Sequence, residues 1–160
     1  MGAIEDRLSD LGITLPPELV VPPGLVLPFA FVNVVGDRAV VSGHGPQGDD
    51  GGLVGPFGIL GGDLTVEQGY DAARLVGLSM LGSLQRELGT LDRITAWVKA
   101  LGMVRCTPDF GQQPAVINGF SELIVEVFGP DVGRHTRSAV GMSSLPFGMP
   151  VEIEAEVLIS

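Results

Sequence analysis

The chain has 160 residues, 45% of them hydrophobic and only 18% charged, with a formal net charge of −10. That length predicts one domain, 1–160, able to bury a core unaided, and the acidity disfavours binding a nucleic-acid backbone. A single cysteine, Cys106, and two histidines, His44 and His135, exclude an intramolecular disulfide and a cysteine- or histidine-rich metal site. No apolar run reaches the ~20 residues of a membrane span. No basic stretch followed by an apolar core marks a signal peptide, so the expected location is the cytoplasm. So much apolar content beside so little charge predicts an oligomer.

Ile4, Leu8 and Leu11 fall at helical spacing, so a short amphipathic helix is predicted, closed by Gly12. Pro16, Pro17, Pro22 and Pro23 impose an extended lead-in, and residues 1–24 read as an N-terminal extension. Leu25 to Val35 and Arg38 to Ser42 are β-rich around Gly36-Asp37, which predicts a hairpin. Gly45 to Gly62 is a long glycine-rich loop. It lacks the Lys-Ser/Thr ending of a phosphate-binding loop, and no cofactor is expected. Thr65-Val-Glu-Gln68 is a capping-box pattern opening a helix to Leu88, ended by Gly89. Its small residues, among them Ala73 and Gly77, suit close packing on a sheet. Ile94 to Arg105 reads as a strand, Gln113 to Phe128 as a second long helix ended by Gly129-Pro130, and Thr136 to Leu145 and Val151 to Ile159 as two strands joined at Pro146–Pro150. The order β-β-α-β-α-β-β predicts an α+β fold with two helices on one face of a sheet.

The last strand has the clearest pattern. Val151, Ile153, Ala155 and Val157 alternate with Glu152, Glu154 and Glu156, so one face is apolar and the other carries three carboxylates. Such a ladder is most simply a solvated sheet face. Three like charges in a row nevertheless call for basic partners, and Arg137 is expected one hairpin strand away. Arg137 alone reads first as a structural ion-pair residue. The small neighbours Ser138 and Gly141 leave room for the alternative, a fork that grips a carboxylate. Arg134 and His135 read as turn surface, and Cys106 as a buried inert thiol. Ser42 has no nucleophile-elbow context, so strand-end hydrogen bonding is its simplest role. Asn118, early in the second long helix, reads as a cap or surface residue.

Taken together, these stretches resemble the RidA/YjgF family, the reactive-intermediate deaminases or L-PSP endoribonuclease-like proteins. Arg137-Ser138, Leu145-Pro146 and Val151-Glu152-Ile153-Glu154-Ala155 match its C-terminal signature in register. Val40 to Pro46 resembles its Ser-Gly-Gln-x-Pro strand end, and Asn118 with Glu122 its second helix. The resemblance covers about Pro28 to Val157 and marks a divergent subgroup with a long Gly-rich loop. It implies a chorismate-mutase-like α+β fold, one mixed sheet assembled into a homotrimeric barrel with three clefts between subunits. It implies hydrolysis of a small enamine or imine, such as a 2-imino acid, to a 2-keto acid and ammonia. Arg137 would then grip the substrate carboxylate and Glu152 would handle a water or proton as the catalytic residue. Ser42, Gly43 and Ala139 would orient the substrate through backbone groups, and Asn118 would line the cleft. Three positions depart from the pattern: Phe29 stands for a tyrosine, His44 for a glutamine and Ala139 for a cysteine. A non-catalytic trimer binding a small carboxylate metabolite is the alternative expectation. Ribonuclease activity, implied by the family's older name, sits poorly with a charge of −10.

Overall fold

Residues 2–160 are described by a computed structural model. Helix α1 (Ala3–Asp10) is followed by strands β1 (Val32–Val35) and β2 (Arg38–His44), helix α2 (Val66–Leu88), strand β3 (Ile94–Arg105), helix α3 (Gln113–Gly133), and strands β4 (Thr136–Met142) and β5 (Val151–Ile159). The strands form one mixed sheet in the order β1-β2-β5-β3-β4. Only β3 and β4 pair parallel, and α3 makes the crossover that parallel neighbours require.

Local chemistry explains the boundaries. The Thr65 hydroxyl accepts from the Gln68 amide while the Gln68 side chain accepts from the Thr65 amide, so the capping box that opens α2 is complete. Gly89, with φ of 82°, closes it. Gly129 adopts φ of 76° and ψ of 168°, which breaks α3 before Pro130, as the Gly-Pro pair predicts. A short last turn then carries the chain to Gly133. The first strand is shorter than its β-rich run suggests. It begins at Val32, and Leu25 to Phe31 lie outside the sheet, where prolines and Gly24 keep the chain irregular.

Two expectations are corrected. The strands β4 and β5 do not form a hairpin, because β3 lies between them and pairs with both. Arg137 is therefore two strands away from β5, opposite Ala100, which in turn faces Ala155. The smooth face of α2 packs on α3, not only on the sheet. A Cβ on Gly77 would come within 2.7 Å of Leu123, and one on Gly69 within 3.0 Å of Val116. From the other side, Gly119 of α3 lies against the Tyr70 carbonyl of α2.

Val151, Ile153 and Val157 of β5, Ala100 and Val104 of β3, and Val41 and Ala39 of β2 are buried beneath the two long helices with Phe120, Ile117 and Leu84. Glu152, Glu154 and Glu156 share the opposite face with Lys99, Leu101 and Met103, which no helix covers. Arg38 supplies a basic partner to this ladder, through an ion pair with Glu156.

The Gly119 contact gives a direct test. Gly119→Ala should destabilise the fold by about 1–3 kcal/mol, because its methyl meets backbone that cannot rotate away. Gly111→Ala, where a Cβ meets nothing within 4 Å, should change stability by less than about 0.5 kcal/mol. Urea denaturation of both variants checks the pair.

Candidate functional site

At the end of β2 the register with β5 shifts between Val41 and His44, so Ser42 and Gly43 bulge out of the ladder. A bulge re-aims the side chains on either side of it. Here it leaves a space over Gly43 that the Glu152 carboxylate fills. Among the described residues Glu152 has neither a hydrogen-bond partner nor an ion pair. Burial and, second, the neighbouring Glu154 charge push its carboxyl above the usual carboxylate range.

Glu152 borders a cavity of about 360 Å³. Phe29, Phe31, Leu25 and Leu27 form one wall, and Leu53 and Met149 another. The first wall is anchored through its upstream chain. Gln47, itself buried, donates to the Pro17 carbonyl at 2.7 Å and accepts from Ser79 at 2.6 Å. Arg86 donates to the Pro16 carbonyl at 3.1 Å, and the Val20 amide donates to the Gly51 carbonyl at 2.9 Å. The glycine-rich loop and the N-terminal extension thus hold each other. At the rim stands Phe147, with φ of 57°. A positive φ on an aromatic residue is rare and costs ~1–3 kcal/mol.

His44 is buried at the floor of this cavity. Its Nδ1 faces the Ser42 carbonyl at 2.7 Å, which can only accept, so Nδ1 carries the proton. Its Nε2 then accepts from the Ser83 hydroxyl at 2.9 Å, and Ser83 accepts from Arg86 at 3.2 Å. Burial, opposed by the Ser42 carbonyl and aided by Arg86, holds the imidazole below its ordinary value. His44 fixes the bulge with both nitrogens engaged.

A second set of candidate residues lies on the other side of the sheet. Arg137 on β4 turns toward α3, donating to the Ser121 hydroxyl at 2.9 Å and the Pro114 carbonyl at 3.2 Å. Both acceptors are neutral, and among the described residues Arg137 forms no salt bridge. Burial lowers its affinity for the proton, with Glu122 opposing. Asn118 lies on the same helical stripe as Pro114 and Ser121, between the two contacts. His135 repeats the arrangement of His44: Nδ1 donates to the Gly133 carbonyl at 2.8 Å, and Nε2 accepts from Ser121 at 3.0 Å. Arg134 is exposed as expected, but His135 is half-buried and not turn surface. Ala139 shares the helix-facing side of β4 with Arg137. Cys106 is half-buried there, its sulfur 2.8 Å from where a Cβ on Gly141 would stand.

The candidate residues therefore fall into two groups. Phe29, Ser42, Gly43, His44 and Glu152 gather around the bulge, the Ser42 hydroxyl donating to the Ala30 carbonyl at 2.7 Å. Arg137, Ala139 and Asn118 gather at the open β4 edge. Sequence reading missed Ser83, Arg86, Ser121 and, beside Phe29, the other wall residues Leu25, Leu27 and Phe31. Ser83 is 39 positions from His44 in the chain, and no local pattern links them. Among the described residues, no group of three or more His, Cys, Asp or Glu side chains could hold a metal ion. No helix among them is long and apolar enough to cross a membrane.

Comparison with known proteins places this arrangement. A family model described as "YjgF/chorismate mutase-like, putative endoribonuclease" matches residues 5–152. Protein TCP17 of Trypanosoma cruzi is 42% identical over 158 residues, 98% of this chain and 94% of that one. The crystal structure of Atu1372 from Agrobacterium tumefaciens, a protein of unknown function, is 38% identical, with a TM-score of 0.84 over 98% of this chain and 91% of that one. A Shewanella oneidensis structure described as a putative endoribonuclease is 29% identical, with a TM-score of 0.86 over 99% of this chain and all of that one.

The two histidines predict the acid response of the fold. A histidine whose folded value is depressed binds fewer protons folded than unfolded below ~6.5, so its contribution is full above that pH. It is lost as pH falls through the folded values of His44 and His135. Melting temperature should fall between about pH 7 and pH 5, and the slope should flatten in His44→Gln/His135→Gln, measured by thermal denaturation against pH.

Proposed function

The chain belongs to the YjgF/chorismate mutase-like family, and we propose that it hydrolyses a small 2-imino acid, or its enamine tautomer, to a 2-keto acid and ammonia. The observation that carries this reading is Arg137. In a chain with 19 acidic residues, its guanidinium is held by neutral oxygens only and has donors left for a substrate carboxylate. Glu152, with its raised carboxyl, complements it as acid and base. The carboxylate takes a proton from water, the water oxygen adds to the imine carbon, and the C–N π pair moves to nitrogen. That proton then goes to nitrogen, giving a carbinolamine. Glu152 next takes the carbinolamine hydroxyl proton and passes it to the amine as the carbonyl forms, the C–N bond breaks and ammonia leaves. Backbone groups at Ser42, Gly43 and Ala139 and the Asn118 amide orient the substrate, while Phe29 and His44 shape the wall beside Glu152.

Arg137 and Glu152 lie on opposite faces of the sheet with β3 between their strands. One substrate reaches both only in a cleft between copies, which supports the homotrimer that the family resemblance implies as the working form. Its helix-free faces meet as a central barrel, where Leu101, Met103 and Val140 supply apolar contact. The unit is the single domain 1–160, with 1–24 as its extension, acting in the cytoplasm. Phe29 and Ala139 lack the polar groups the family pattern carries, and His44 has both nitrogens engaged. These features favour the second reading, a trimer that binds a small carboxylate without turnover.

Purified protein should accelerate loss of 2-iminopropanoate. Arg137→Ala should raise KM and lower kcat/KM, and Glu152→Gln should lower kcat by about 10²–10⁴-fold. Imine loss at the buffer rate, with 2-keto acid stabilisation that disappears in Arg137→Ala, would select the binding reading. Light scattering should give three times 16.7 kDa.

A further inference from the structure

The cavity beside Glu152 identifies the side chain of the substrate. At about 360 Å³ it holds roughly a dozen waters at ~30 Å³ each. The methyl group of the smallest imino acids would leave most of that space empty. Its walls are hydrocarbon: Leu25, Leu27, Phe29 and Phe31 on one side, Leu53 and Met149 on the other. Phe29 and Phe31 meet edge to face at 5.7 Å, and Phe31 lies 5.3 Å from the His44 ring.

The polar side chains on the lining are already paired. His44 is engaged at both nitrogens, and the Ser79 hydroxyl donates to Gln47. Among the lining side chains, only Glu152 has polar atoms free. A guest carrying a hydroxyl, amide or charge deep in this cavity would lose its water without replacement, which is strongly unfavourable. A hydrocarbon guest loses nothing of the kind and gains from leaving water.

We propose that the substrate is a 2-imino acid with a large apolar side chain, branched aliphatic or aromatic, which fills this cavity while its imine carbon stands at Glu152. This rests on the hydrolysis reading above. Oxidation of the corresponding amino acid supplies such an imine: the α C–H hydrogen leaves as hydride to an electron-accepting cofactor and nitrogen loses a proton.

The test supplies 2-imino acids in situ from alanine, leucine and phenylalanine with an L-amino-acid oxidase, at matched flux. Semicarbazide trapping follows the imine. Leucine- and phenylalanine-derived imines should be preferred over the alanine-derived one by about tenfold or more in kcat/KM. Leu25→Trp, at a half-exposed position on the cavity wall, should reduce that ratio at least tenfold. In parallel, calorimetry compares phenylpyruvate with pyruvate. Equal or better use of the alanine-derived imine, with pyruvate bound as well as phenylpyruvate, overturns the inference and leaves the hydrolysis reading standing. No hydrolysis of any imine, but tighter phenylpyruvate binding that Leu25→Trp weakens, overturns hydrolysis and retains the apolar pocket. No turnover and no preference in binding overturns both.

Discussion

A strand at the centre of a sheet has two faces, and β5 assigns them to opposite environments. Val151, Ile153, Ala155, Val157 and Ile159 are buried beneath the helices, while Glu152, Glu154 and Glu156 point the other way. A period of two makes this division absolute, because a slip of one residue would put three carboxylates into the core. Both long helices must therefore lie on the same side. The opposite face then carries the ladder, the chain's one lysine and the apolar side chains Leu101 and Met103, with no layer of its own to cover it. An apolar-rich chain with a half-covered sheet is the physical basis for expecting assembly.

Much of this division is legible in the amino-acid sequence alone. The capping box marks the start of α2, and strict alternation marks β5, because both signals are local. Strand β3 is equally plain, its length and two-sided pattern suiting a central position. The pairing of β4 is not legible in the same way. Consecutive strands joined by a short turn are expected to be neighbours. Arg137 to Met142 offers little alternation to say otherwise, since Ser138, Ala139 and Gly141 are all small. The crossover through α3 decides the matter, and it follows from packing. Gly102 leaves room for Ile117 of α3, 2.6 Å from where a Cβ would stand. The helix can lie on β3 and deliver β4 to its far side. The two groups of candidate residues are individually visible as motifs, but their separation emerges only from that topology.

The two histidines are the least legible residues. Each sits two positions after the carbonyl that binds its Nδ1, and each receives a serine hydroxyl at Nε2 from a long helix. In both, the serine also accepts from an arginine. The arrangement lets a neutral imidazole and a guanidinium share one hydroxyl without a carboxylate. For a chain this acidic it is an unusual solution, since nearby carboxylates could have served. A carboxylate would have satisfied the Arg137 fork and closed it to ligands. A serine fixes one edge of the fork and leaves it without a salt bridge among the described residues, the Glu122 charge acting only from beyond ion-pair contact. Ser121 and His135 are thus positioning residues for the candidate anchor, as Ser83 and Arg86 are for the bulge beneath Glu152.

The same reasoning bears on why the candidate site is divided. A guanidinium and a carboxylate that each lack a salt bridge attract, and if both faced one cavity in one chain they would pair. Each would then be shielded from a substrate, and the raised carboxyl of Glu152 would be pulled down. Placing them on opposite faces, across β3, prevents that pairing within a chain. In the proposed cleft the two groups come from different copies, and their separation is set by an interface. A substrate carboxylate at Arg137 and an imine carbon at Glu152 would then lie between them, with the apolar cavity behind Glu152 to receive what remains.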